Sequence, residues 1–490
     1  MSVADQITRL NTAKNDIRTA IQGKGVTVPS SAKLDTYSNY INNIINIDSN
    51  VVSSTYALFY KGRFEDILRQ LLYIGDADYG YCFYKHTGLS VDDWNWLKSH
   101  KFLSPLSMKK VDIYYNNMFQ NAKIIAPNNS FRFDFNDFTQ SPTQVYMDYQ
   151  HMFDGINVIS GDQIKYINNL PAFITKACAI RRNAADTETV GIQPHFEYMF
   201  ANISDLSIGD DVILDFTRSN PENLSGNWDS CDYCNGMFMN TTFISNNTNL
   251  TLQYTTQSFE SSHHIDGTKT MFEGCDANSV TFKNIGFKNI GVENSNIKNI
   301  YFNNCTYMAS ANCFMGAFYG NTALKSIDLT NLTPEHSTYC NQASSMFSHC
   351  TALQTIDFGT NVLIRDYSSS TTNNTKFTNM FSNCTALQTI TNFPINIYTN
   401  GEMNVFGSTP LANLTSISCN DSTWHPSKKN LTIDLSMCTA LNPTTFINTI
   451  PTNEGNSKTV TLKFAAAVYN ALTSAQKSAL SSKNILYISA

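Results

Sequence analysis

Apolar residues follow two different periods along this chain. Between residues 2 and 47 they step by three and four. Ile7, Leu10, Lys14, Ile17 and Ile21 form a seam about two heptads long, with Lys14 its one polar position. Gly23-Lys24-Gly25 breaks that helix, and Val26-Thr27-Val28-Pro29 reads as an extended link. Leu34, Tyr37, Ile41 and Ile44 then resume the helical stepping, which predicts a second helix. Farther on the period becomes two. Phe131, Phe133 and Phe135 alternate with polar neighbours, and related runs are bracketed by Leu324, Ile327 and Leu329 and by Leu353, Ile356 and Phe358. Alternation of this kind predicts short strands with one face buried.

These strands belong to a repeat. Met346-Phe347-Ser348-His349-Cys350-Thr351-Ala352-Leu353-Gln354-Thr355-Ile356 returns 34 residues later as Met380-Phe381-Ser382-Asn383-Cys384-Thr385-Ala386-Leu387-Gln388-Thr389-Ile390. Fainter copies begin at Met118-Phe119, Met152-Phe153, Met199-Phe200, Met237-Phe238, Met271-Phe272 and Ala317-Phe318, and a degraded one is at Val405-Phe406. Their spacing runs from 25 to 47 residues, so some units carry inserted loops. One short strand cannot bury its apolar face alone; stacked units can, through a shared core. Each buried large apolar side chain contributes roughly 1.5–3 kcal/mol, which offsets chain entropy only if neighbours stack. The Met-Phe pair is predicted to end a short helix or turn on the wall opposite the strands. Cys275, Cys350 and Cys384 share one repeat position and are expected to be buried free thiols.

The unit, roughly Met-Phe-x-x-Cys-x-x-Leu-x-x-Ile-x-Phe, resembles the BspA-like leucine-rich repeat family, strongly over residues 312–435 and more weakly back to 118. The resemblance implies a strand-lined solenoid used for adhesion or recognition. Met346, Phe347, Cys350, Leu353 and Ile356, with Met380, Phe381, Cys384, Leu387 and Ile390, would be its repeat core. The N-terminal segment is similar to one found on bacteriophage tail and baseplate proteins. The matching residues are Lys14, Ile17, Ala20, Ile21, Lys24, Gly25, Val26, Val28, Pro29, Leu34, Tyr37 and Ile41. At the other end, Thr459 to Lys463 alternates as a strand, Phe464 to Ser482 is helical in composition, and Asn484 to Ile488 is a last strand. Leu472-Thr473-Ser474-Ala475-Gln476 resembles the terminal helix of phage repeat proteins, while Lys483-Asn484-Ile485 stands where they carry Lys-Gly-Trp.

The expected fold class is therefore α+β. Residues 1–50 form a short, coiled-coil-like helical module for attachment or oligomerisation. Residues 51–117 form a bridge and N-terminal cap, with Phe64, Ile67, Leu68, Leu71 and Leu72 at helical spacing. Residues 118–455 form an irregular leucine-rich-repeat β-solenoid, and 456–490 a strand-helix-strand cap. Two helices as short as the N-terminal pair are marginal in water and need a partner. Ile7, Leu10, Ile17, Ile21, Leu34, Tyr37 and Ile41 are the candidate contacts, either in a homo-oligomer, for which a trimer is expected, or within a self-packed hairpin.

Charge and chemistry narrow the function. Net charge is -6 and only 15% of residues are charged, which argues against a phosphate-backbone partner. No run of 18 apolar residues predicts a membrane span. The first residues lack the apolar core of a secretion signal, which counts against an exported bacterial adhesin. Cys231-Asp232-Tyr233-Cys234 has zinc-knuckle spacing but no second close pair, and His263-His264-Ile265-Asp266 reads as a polar loop, so neither a metal nor a cofactor is expected. No nucleophile elbow or phosphate-cradling glycine loop appears, and no enzymatic activity is expected. Outward tyrosines such as Tyr114, Tyr115, Tyr367 and Tyr398 are candidates for sugar stacking. The expectation is a structural virion appendage, of tail-fibre or baseplate type. Its partners would be other tail proteins and a host-surface glycan or protein. The alternatives are a bacterial surface adhesin, a purely structural head-fibre or baseplate component, and a polysaccharide-degrading tail enzyme.

Overall fold

A computed structural model of the chain describes residues 3–22, 27–37, 77–78, 89–90, 113–114, 116–126, 131–135, 147–179, 195–217, 234–254, 264–265, 268–287, 290–307, 314–334, 343–361, 378–394, 401–420, 430–453 and 459–490. Ile41, most of the 51–117 bridge, Cys231, His263, Tyr115, Tyr367 and Tyr398 lie outside the described residues.

The architecture is mixed α/β, with few helices and sheets built of parallel strands. The largest sheet has eight strands. They are Asp211–Asp215, Asn249–Gln253, Ser279–Lys283, Asn299–Asn303, Ser326–Asp328, Thr355–Asp357, Thr389–Phe393 and Ser416–Cys419. Their order in space is their order in the chain. Register aligns Val212, Leu250, Val280, Ile300, Ile327, Ile356, Ile390 and Ile417 in one inward row, and all eight are buried. Smaller parallel sheets flank it, among them Phe131–Asp134 with Lys165–Asn168 and Leu206–Ser207, and Gly401–Met403 with Leu431–Leu435, Val460–Phe464 and Ile485–Ser489.

Parallel neighbours require a crossover between strands. Here the return is made by turns, and the Met-Phe pairs lie in or beside them, Met271 ending the short helix Thr268–Met271. The amide of each Phe donates to the carbonyl just before the next unit's Phe: Phe119 to Met152, Phe153 to Met199, Phe200 to Met237, Phe238 to Met271, Phe318 to Met346 and Phe347 to Met380. The phenyl rings stack in the same order. Centroid separations are 5.4 Å for Phe119–Phe153, 5.6 Å for Phe153–Phe200, 5.9 Å for Phe238–Phe272 and 5.8 Å for Phe347–Phe381. Turns are thus linked between units by the same kind of interstrand hydrogen bond as the sheet.

One unit escaped the Met-Phe pattern. The amide of Val292 donates to the carbonyl of Ala317, so Val292 occupies the Phe position between Phe272 and Phe318. The long gap there is two units, and the ring stack is interrupted at that point.

The turns depend on left-handed backbone two residues before and two after the Phe. Asn117 and Asn121, His151 and Gly155, Tyr198 and Asn202, Gly236 and Asn240, and Asn379 and Asn383 all have positive φ. Asn and Gly reach this region at least cost, which accounts for part of the chain's asparagine content. Crowding fixes which of the two is used. A Cβ on Gly320, at φ +72°, would meet Asn294 Oδ1 at 2.3 Å.

Helices cover both edges of the eight-stranded sheet, as exposed edges invite unwanted pairing. Helix Leu170–Ala179 packs against the first strand. Helix Pro443–Thr449, capped by the Asn442 side chain, packs against the last. Both lie inside the span expected to be solenoid. Lys483 then closes the end of the second helix, its Nζ donating to the carbonyls of Ile447, Asn448 and Ile450 at 2.9, 2.9 and 2.6 Å. Lys483→Met strands those acceptors and should cost roughly 1–3 kcal/mol, read as a lower unfolding midpoint.

The C-terminal strands form close to the expected bounds. The helical stretch between them is two helices, Ala466–Asn470 and Ser474–Ser482. Thr473 restarts the helix, its hydroxyl accepting from the Gln476 amide while the Gln476 side chain returns the bond.

Among the described residues, buried apolar side chains form two clusters. One runs from Met118 to Ile485. The other is Ile21, Val28, Ala32 and Tyr37, formed where helix Val3–Gln22 folds back on the extended link. Beyond it Leu34–Thr36 is a single 3-10 turn.

Candidate functional site

The repeat-core residues are all interior. Met346, Phe347, Cys350, Leu353, Ile356, Met380, Phe381, Cys384, Leu387 and Ile390 are essentially inaccessible, so their chemistry serves packing. The cysteine position has a specific task. Cys350 Sγ donates to the Phe318 carbonyl at 2.9 Å, and Cys384 Sγ to the Phe347 carbonyl at 2.9 Å. Thr241 fills the same position with a hydroxyl donated to Phe200, and Asn321 with an amide donated to Val292. In these units the position holds a small buried donor, a thiol, hydroxyl or carboxamide, whereas the first three units fill it with Ala122, Ile156 and Ile203. Burial pushes Cys350 and Cys275 up to about 12 and raises Cys384 well above the ordinary thiol value, which keeps the thiol proton available for donation. All eight described cysteines are buried, Cys234 among them.

The N-terminal helix is different. Ile7 is 54% exposed, Leu10 62% and Ile17 40%, and Leu34 beyond the elbow is 48% exposed. Ile21 and Tyr37 are instead turned into the small local cluster. An apolar stripe at heptad spacing therefore faces outward on Val3–Gln22, interrupted only by Lys14.

The outward face of the eight-stranded sheet carries short polar side chains. Cross-strand amide bonds tie several together: Asn249 Nδ2 to Asp211 Oδ1 at 2.8 Å, Gln253 Nε2 to Asp215 Oδ2 at 3.0 Å, and Asn392 Nδ2 to Asp357 Oδ1 at 2.8 Å. Tyr301 stands among them, 50% exposed.

A polar cluster sits on the turn wall. The nearly buried Asp154 carboxylate receives Gln120 Nε2 at 2.9 Å and Asn202 Nδ2 at 2.7 Å, and lies 2.7 Å from His151 Nδ1. The His151 ring stacks on Tyr198 at 4.8 Å. Burial acts to raise the Asp154 pKa, but the bonds from His151, Asn202 and Gln120 outweigh it and hold the carboxyl below its ordinary value. A depressed native pKa contributes stability that is complete above the unfolded-state value of about 4 and is lost as pH falls through the lower native one. Melting curves should accordingly show the advantage of the native protein over Asp154→Asn shrinking below about pH 4; a gap independent of pH contradicts this account.

Among the described residues no group of three or more His, Cys, Asp or Glu side chains could hold a metal ion. No described helix is long and apolar enough to cross a membrane. His264 lies in a two-residue strand, His264–Ile265. Three features were missed by sequence reasoning: the buried donor task of the Cys position, the Asp154 cluster and Tyr301. Only the first left a signal, since Cys, Thr and Asn interchange at a fixed distance from Phe. No protein family, curated protein or solved structure matches the chain.

Proposed function

We propose that this chain is a non-enzymatic virion appendage protein. In this reading the stacked units are a leucine-rich-repeat solenoid, the N-terminal helix joins copies of the chain and holds them on the particle, and the solenoid contacts the host surface. The observation that carries it is the pairing of two unlike surfaces in one chain. Ile7, Leu10 and Ile17 leave an apolar stripe uncovered on a helix of 20 residues, whereas the units from Met118 onward turn their apolar residues into a common interior and present amides and hydroxyls outward. An uncovered heptad stripe is a demand for partner helices. Several joined copies would turn weak contacts into firm attachment by avidity.

Immunogold labelling of particles released from the producing cells tests the assignment. Label on the tail or another appendage is the expected result. Label confined to the cell envelope would replace this reading with a cellular adhesin.

A further inference from the structure

The outward face of the eight-stranded sheet is uneven in one place. Strand register puts Thr281 beside Tyr301. Ile300 pairs with Ile327, so the next residue along each strand sets Tyr301 beside Asp328. Asp328 in turn pairs with Asp357. Strands lie about 4.8 Å apart, so one aromatic ring and two carboxylates follow each other across three adjacent strands. Lys283 and Asn303 pair with each other two residues farther along their strands and are both exposed.

The two carboxylates are held in place. Asp328 Oδ1 accepts the Thr330 amide at 2.8 Å. Asp357 Oδ1 accepts the Gly359 amide and Asn392 Nδ2, each at 2.8 Å. Each bond uses Oδ1, fixing the carboxylate while Oδ2 is left for another donor. Such preorganisation lowers the ordering cost of binding.

We propose that this face binds a neutral polysaccharide, with one sugar ring lying on Tyr301 and adjoining hydroxyls donating to Asp328 and Asp357. The proposal rests on the reading of the chain as a surface-recognition protein and names its ligand. The fit is chemical. A pyranose presents C–H groups on its ring face and hydroxyls at its rim. Tyrosine supplies an amphipathic contact surface at small entropy cost. Hydroxyls both donate and accept, and here they meet the acceptors Asp328 and Asp357 on the neighbouring strands and the donors Lys283 and Asn303 farther along the strands. A polyanion would meet the paired carboxylates as like charges and is disfavoured. The adjoining strands continue the face with Thr355, Thr389 and Ser416 in one register row, additional hydroxyls along which a chain can lie.

Titration calorimetry of the full-length protein with hexasaccharides of the cello, malto, manno and galacto series, and with polygalacturonate, tests it. Binding to at least one neutral hexasaccharide is expected, lowered roughly tenfold by Tyr301→Ala and by Asp328→Asn, and largely retained by Tyr301→Phe. Tyr301 is half exposed, so an unchanged melting temperature will show that the variants fold. Absence of binding to every neutral sugar, preference for polygalacturonate, or indifference to Tyr301→Ala overturns the assignment. Adsorption of the same proteins to a panel of intact bacteria separates the two levels. Equal adsorption by native protein and Tyr301→Ala removes this site but keeps surface recognition; failure of the native protein to adsorb to any of them removes the recognition reading itself.

Discussion

Phe347→Ala will destabilise the stacked units by roughly 3–5 kcal/mol. The ring lies between Phe318 at 5.2 Å and Phe381 at 5.8 Å with planes within 9° of parallel, and meets Phe358 edge-on at 6.0 Å. It has no accessible surface. Truncation removes contacts with two neighbouring units at once and leaves a cavity that their backbones, tied by the Phe318–Met346 and Phe347–Met380 hydrogen bonds, cannot close. Urea unfolding followed by circular dichroism should show a lower midpoint, and a less steep transition if the two halves of the stack uncouple. Leu353→Ala, buried two residues before the strand Thr355–Asp357, should cost about 2–5 kcal/mol by the same logic. A loss under about 1 kcal/mol at Phe347 means that the rings touch without supporting one another.

In the proposed oligomer, Ile17→Asp will separate the copies of the chain without unfolding them. Ile17 sits on the exposed stripe, one heptad after Leu10 and beside Lys14. A carboxylate buried there between helices and without a partner costs about 3–5 kcal/mol, so association should weaken more than a hundredfold. Ile17 belongs to neither buried cluster, and the melting of the repeat units should not move. Sedimentation velocity checks the first statement and circular dichroism the second. An unchanged sedimentation coefficient at matched concentration removes the proposed handle. Ile21→Asp makes a useful contrast, because it strikes the local packing with Val28, Ala32 and Tyr37.

The sequence was most readable where one residue type repeated one task. Phe at the centre of most turns and Ile in the strands from Asn299 onward marked the units, because both are large apolar residues at fixed interior positions. Where a position tolerated substitution the signal faded. Val292 keeps the backbone bond to Ala317 without the ring, so the unit around it was invisible to a search keyed on Phe. Helix 170–179 was readable in principle, since Leu170, Phe173, Ile174, Ala177 and Cys178 fall at helical spacing and are all buried. Expectation of strands in that region hid it. Asn117, Asn121, Asn202 and Asn383 answer a backbone demand for positive φ, which the alternation of apolar and polar positions does not record. The Asp154 cluster draws on Gln120, His151 and Asn202 from three different units, and no local pattern connects residues whose proximity exists only after stacking.

The central claim is that successive units lie one above another, each strand adding one step to the same face. Ile213 on the first strand and Ser418 on the last both stand on the outward side of the sheet, separated by seven interstrand steps. At about 4.8 Å each, these steps span about 34 Å, somewhat less if the stack curves. Spin labels introduced at these two positions through non-natural amino acids, which leave the native thiols untouched, allow that span to be measured by double electron–electron resonance. A single distribution centred at about 30–35 Å is the predicted result; a distance below about 20 Å, as in a sheet closed upon itself, would contradict the stack.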